Sequence, residues 1–135
     1  MVFLDASAII YLLEGDRAVQ QATQKVLARL SVHQAEPALV VSVLSRLECR
    51  VHPLRRDDQK RLERFDDFFS DPGLITVDLN RPIIDQATRL RARYGLRTPD
   101  ALQAASCLAV GSETPFVTGD NDFRKLKGLK LYLVE

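Results

Sequence analysis

Five acids sit where the chain reads as changing from one element to the next. Asp5 follows the apolar run Val2 to Leu4, Glu48 lies in SVLSRLECR, Asp100 in TPDAL, and Asp120 and Asp122 in FVTGDNDF. Carboxylates gathered in one cleft repel one another, and some must protonate unless a cation joins them. Hard oxygen ligands suit Mg²⁺ or Mn²⁺ and not zinc. Such an ion commonly works on phosphate esters, activating a water and stabilising phosphoryl charge. Together the acids point to metal-assisted phosphodiester hydrolysis. Taken singly, each has a plainer use. Asp100 suits the positive end of a helix dipole, and Asp5 an ordinary loop start. Glu48 suits a solvated helix face beside Arg46 and Arg50, and Asp120 and Asp122 suit a turn. Only their joint placement favours a site, so the argument passes to the elements that must position them.

Five apolar segments, VFLD, ALVVS, LITVDL, PFVTG and LKLYLV, have the composition of buried parallel strands. Helical patterns lie between them. SAIIYLLEG ends near Gly15. RAVQQATQKVLARLSVH sets Val19, Ala22, Val26 and Leu30 on one face. SVLSRLECRVH is expected to stop at Pro53. DDQKRLERFDDFF groups Leu62, Phe65 and Phe69, which favours core or dimer contact over base stacking for its phenylalanines, Phe68 included. NRPIIDQATRLRARYG opens on Asn80 as N-cap and closes on Gly95. TPDALQAASCLAVG takes Thr98 as N-cap, Pro99 as first helical residue and Gly111 as stop. Strands alternating with helices predict an α/β fold, a central, mostly parallel sheet of about five strands flanked by helices. In such sheets sites form at the carboxyl ends of the strands. Asp5, Glu48 and Asp120 all reach that edge, and Asp100 joins them if its helix points its N-terminus there.

The totals narrow the classes. The 135 residues fit one domain, spanning 1–135, with 46% hydrophobic and 27% charged residues, close to the globular average. A net charge of +1 gives no overall field toward a polyanion, so local clusters must do any attracting. Two cysteines, Cys49 and Cys107, do not make a disulfide framework and read as small buried hydrophobes. Asp5 interrupts the first apolar run too early for a signal peptide, and no stretch is long enough for a membrane span. The expectation is a cytoplasmic protein without a membrane partner. There is no Gly-rich phosphate loop, which disfavours a nucleotide triphosphatase. Cys49 and His52 lack a second ligand pair, which disfavours zinc, and His33 and His52 suit helix ends.

FLDASAIIYLLEG, SVLSRLECR, LRTPDALQAA and FVTGDNDF, in that order, resemble the PIN-domain nucleases, and within them the VapC-type toxins of type II toxin–antitoxin pairs. The resemblance runs from the first residues to the last strand. It implies the PIN three-layer sandwich and an endoribonuclease dependent on Mg²⁺ or Mn²⁺. Asp5, Glu48, Asp100 and Asp120 match the acidic catalytic and metal-holding positions, with Asp5 and Asp100 the safest ligands. Asp122 matches a less regular acidic position, and Ser7 and Thr118 match the small hydroxyl residues that flank the site. The resemblance further implies an RNA substrate, cleavage to 5′-phosphate and 3′-hydroxyl ends, and a homodimer. It implies a cognate VapB-type antitoxin that blocks the site and contacts DNA on the toxin's behalf.

Basic residues divide by position. Arg81, Arg89, Arg91, Arg93 and Arg97 lead into Asp100, and Arg91 and Arg97 are candidates for RNA contact. Arg46, Arg50, Arg55, Arg56, Lys60, Arg61 and Arg64 read mostly as a solvated face, and Arg124, Lys125, Lys127 and Lys130 as solubilising surface. Rival readings are weaker. A phosphatase of the haloacid-dehalogenase type needs an acid two residues after Asp5, where Ser7 stands. A receiver domain needs a paired acidic start and a late Lys, and neither is evident. A non-catalytic RNA-binding module, or a PIN nuclease that processes cellular RNA without being a toxin, remain the alternatives.

Overall fold

The protein is described from a computed structural model covering residues 1–32 and 35–135; His33 lies outside the described residues. Five strands, β1 (Val2–Leu4), β2 (Leu39–Ser42), β3 (Ile75–Val77), β4 (Pro115–Thr118) and β5 (Lys130–Leu133), form one sheet in the order β3-β2-β1-β4-β5. Every pairing within this sheet of described residues is parallel, with Phe3 opposite Val40 and Phe116, and Leu4 opposite Val117. The described helices are α1 (Ala6–Glu14), α2 (Arg17–Arg29), α3 (Leu44–Arg55), α4 (Gln59–Phe69), α5 (Arg81–Tyr94) and α6 (Thr98–Val110).

The period-two alternation of the central strands divides the core. Phe3, Val40 and Phe116 face α5 and α6, where Leu90, Ala101, Ala104 and Ala105 close the layer. Val2, Leu4, Val41 and Val117 face the other way, toward Ile9, Val26, Cys49, Phe65 and Phe69 of α1 to α4. This is a three-layer sandwich, as expected. The Phe3 and Phe116 rings stack 5.5 Å apart and Phe123 adds to them at 4.7 Å. Each such ring, fully buried, contributes about 1.5–3 kcal/mol by leaving water. Parallel pairing sends the ends of β1, β2 and β4 to one edge of the sheet, which is what a site needs.

Four details depart from the sequence expectations. First, β3 and β5 are partly exposed, not buried, because the strand order leaves each at an edge. Second, α3 runs through Pro53 to Arg55. A proline in the last turn removes a single ladder bond, and buried Pro53 recovers contact while Arg56 N–H closes the helix on the His52 carbonyl at 3.0 Å. Third, α2 stops at Arg29, where the Leu30 N–H turns back to the Leu27 and Ala28 carbonyls. Fourth, the cap of α6 is Arg97 and not Thr98, because Ala101 N–H bonds the Arg97 carbonyl at 2.9 Å. That shift places Asp100 at the third helical position. The remaining caps agree with the sequence: Asn80 accepts from Ile83 N–H at 3.0 Å, and Gly95 ends α5 in the left-handed region.

The α3–α4 arginines are largely engaged. Arg61 and Arg64 hold the buried carboxylate of Glu14 at 3.2 Å each, and Arg50 meets Asp66 at 2.8 Å. Cys49 and Cys107 are buried free thiols, and burial pushes the Cys107 thiol up to about 12 and the Cys49 thiol higher still. Among the described residues no helix is long and apolar enough to cross a membrane.

Candidate functional site

Asp5 leaves the end of β1 and caps α1. Its Oδ1 accepts from Ala8 N–H at 2.9 Å and Ser7 Oγ–H at 2.6 Å, and its Oδ2 accepts from Thr118 Oγ1–H at 2.5 Å. Ser7 in turn accepts from Gly119 N–H at 2.9 Å, and Thr118 accepts from Asp120 N–H at 3.0 Å. Two small hydroxyls thus tie the ends of β1 and β4 together, orient the Asp5 carboxylate and hold the Asp120 backbone. Asp5 is only 5% exposed, and burial pushes its carboxyl up to about 6 despite these three donors, with Glu48 raising it further.

Among the described residues Asp100, Asp120 and Asp122 come together, with one carboxylate oxygen of each within 4.8 Å of the others, and Asp5 and Glu48 lie outside this group. Asp120 caps the 3₁₀ turn Asn121–Lys125 that follows β4, accepting from Asp122 N–H at 2.9 Å. Burial holds the Asp100 carboxyl above its usual range, Arg97 opposes this, and Asp120 and Asp122 reinforce it. Glu48, on α3, links the two halves of the site. Burial raises its carboxyl, the hydrogen bond from Gln103 works against that, and the Asp100 charge adds to the rise. Asp5 therefore feels Glu48, Glu48 feels Asp100, and Asp100 feels Asp120 and Asp122.

Of the two arginine candidates, Arg97 is at the acids: its Nε donates to Asp100 Oδ2 at 3.0 Å and its Nη2 lies 3.6 Å from Asp120 Oδ2. Arg91 is elsewhere engaged, donating to the Leu96 carbonyl at 2.6 Å. It steadies the turn that carries Arg97.

Gln103 escaped the reading of the sequence. It is 2% exposed, one turn after Asp100 on α6, and its Nε2 donates to Glu48 Oε1 at 2.8 Å and Ser45 Oγ at 3.0 Å. A long polar side chain in the small-residue run ALQAAS, three residues after an acid, was the available signal. Its Oε1 is buried with no hydrogen-bond partner among the described residues. Gly119 is a second such residue. The Tyr11 ring lies so close that a Cβ at Gly119 would overlap it, so the loop bearing Asp120 passes beneath an aromatic lid of α1.

All five acids supply oxygen only, which fits a hard divalent cation. The unpartnered Gln103 Oε1 is a further buried oxygen beside Glu48 that such an ion's surroundings would use. Gln103→Leu would strip Glu48 of its donor. Residues that orient ligands in this way typically control affinity by 10–100-fold. Isothermal titration with Mn²⁺ should show a loss of about that size.

A family model described as PIN domain matches residues 2–129. No curated protein sequence matches the chain. Solved structures do. A toxin–antitoxin complex from Klebsiella pneumoniae has TM-score 0.75 and 19% identity over 100% of this chain and 98% of that one. VapBC2 from Rickettsia felis, bound to a DNA fragment from its promoter, has TM-score 0.75 and 15% identity over 100% of both chains. VapBC-1 from nontypeable Haemophilus influenzae has TM-score 0.70 and 17% identity over 98% of both. At these identities the likeness is one of fold. The family model covers nearly the whole chain, from β1 to the residue before β5, and the chain belongs to the PIN domain family.

Proposed function

We propose that this protein is a metal-dependent endoribonuclease acting as the toxin of a toxin–antitoxin pair. The observation that carries the reading is the group Asp100, Asp120 and Asp122, with one carboxylate oxygen of each within 4.8 Å of the others, at the sheet edge where Ser7 and Thr118 tie Asp5 to the end of β4. Asp5, Glu48, Asp100 and Asp120 would hold Mg²⁺ or Mn²⁺, with Asp122 as a further ligand. The ion would supply activation of water and charge stabilisation at the phosphorus. Ser7 and Thr118 hold Asp5 still, Gln103 holds Glu48, and Arg97, paired with Asp100 and Asp120, lies where it could turn to a phosphate oxygen. Support for the toxin role comes from the fold neighbours, which are toxin–antitoxin complexes, one of them on promoter DNA. An antitoxin partner and indirect contact with DNA follow from that likeness. A second copy of this chain is the other expected partner. The exposed Leu47 and Leu54, seven positions apart on α3, offer it an apolar stripe. The cytoplasm, where RNA and a reduced thiol pool occur together, is the expected compartment.

End-labelled RNA incubated with the purified protein and Mn²⁺ tests the chemistry. Products bearing 5′-phosphate and 3′-hydroxyl ends are expected. Products with 2′,3′-cyclic phosphate would mean that the RNA's own hydroxyl attacks, and would overturn the hydrolytic reading.

A further inference from the structure

Arg97 has a rigid backbone and a loosely held side chain. Leu96 before it is fully buried, the Leu96 carbonyl is pinned by Arg91, and the Arg97 carbonyl accepts the first ladder bond of α6. Gly95 brings the chain into this position through a left-handed turn. The Arg97 side chain, by contrast, is 72% exposed, and its described polar contacts are both carboxylates, Asp100 and Asp120. These are two members of the three-acid group. The guanidinium therefore occupies the mouth of the place where a divalent cation would sit.

We infer that Arg97 is the built-in counter-ion of this cleft, and that it exchanges with the divalent cation so that metal uptake frees the guanidinium for the substrate. The inference rests on the metal-dependent reading above. Three close carboxylates need positive charge, and Arg97 supplies it in the absence of metal. A carboxylate lone pair given to a cation is not available to an N–H donor, and the two positive charges repel. Exposed ion pairs are weak, so leaving costs Arg97 little. Once freed, its planar fork of donors suits a phosphate oxygen pair. A ligand that draws Arg97 away from the acids must tighten metal binding, and by reciprocity metal must tighten that ligand. RNA phosphate is such a ligand. Arg97 is thus a positioning residue that couples the loading of metal to the arrival of substrate.

The test is Mn²⁺ titration by calorimetry, without RNA, on the wild type, Arg97→Gln and Arg97→Lys, each checked for folding by thermal unfolding. Arg97→Gln should bind Mn²⁺ about two- to fivefold more tightly, the size of one exposed ion pair. Arg97→Lys, which keeps the charge, should stay near the wild type. In a second titration, with a short phosphorothioate RNA present and checked intact afterwards, Mn²⁺ should bind the wild type more tightly than without RNA, and Arg97→Gln should lose that tightening. Equal or weaker Mn²⁺ binding by Arg97→Gln, with measurable binding by the wild type, would overturn the exchange while leaving the metal site standing. No Mn²⁺ binding by the wild type would overturn the metal reading, and the exchange with it.

Discussion

Asp100→Asn is expected to lower RNA cleavage by at least about a hundredfold while the protein stays folded. Groups that merely orient metal ligands are worth 10–100-fold, so a direct ligand should exceed that range. The fold should survive for local reasons. Asp100, its side chain 12% exposed, loses an ion pair with Arg97, whose side chain is 72% exposed, and solvent at the guanidinium keeps such a pair to about 1 kcal/mol. The same change removes a charge that Asp120 and Asp122 oppose, which offsets the loss. Thermal unfolding in EDTA should therefore move little, whereas cleavage of labelled RNA should vanish into the background. Cleavage within threefold of the wild type would remove Asp100 from the site.

Asp5→Asn should have a comparable effect on cleavage and a second, separable effect on stability. In the fold Asp5 holds its proton up to about 6, against an ordinary value of 3.8, chiefly because it is buried. Between those values the folded state binds a proton that the unfolded chain has released. Stability of the metal-free protein must then fall as pH rises from 3.8 through about 6, and recover on acidification. The contribution of Asp5 is on the order of 3 kcal/mol. Glu48 and Asp100 are shifted in the same direction and steepen the trend. Asn retains an oxygen for Ala8 N–H and is itself a good N-cap, so α1 should still start correctly. Above pH 6 the metal-free Asp5→Asn protein should be more stable than the wild type, and the advantage should disappear toward pH 4. Thermal unfolding in EDTA across that window measures it. Parallel pH profiles for the two proteins would show that Asp5 carries no buried charge to relieve.

The order of elements and the positions of the acids were legible because both are local properties. Strand ends, N-caps and the Gly95 stop are written within a few residues of where they act, and Asp5 and Asn80 behave as their types require. What was not legible depends on partners far away in the chain. Gln103 matters because Ser45 and Glu48, on another helix, meet its amide. Gly119 matters because the Tyr11 ring, from the first helix, comes down on it. Arg91 and Arg97 looked alike in sequence, six residues apart in one basic run, yet one holds a carbonyl and the other faces the acids. The exposure of β3 and β5 follows from strand order, which no segment carries by itself. Pro53 read as a stop because its cost was weighed without the burial that offsets it.

The claim at the centre of this account is that the converging carboxylates form a metal-dependent nuclease site. Its most direct test is cleavage of RNA by the purified protein with Mn²⁺ or Mg²⁺, beside an EDTA control and the Asp5→Asn variant purified identically. The account predicts cleavage that is lost both on chelation and on substitution. Cleavage that persists in EDTA or in Asp5→Asn would contradict it.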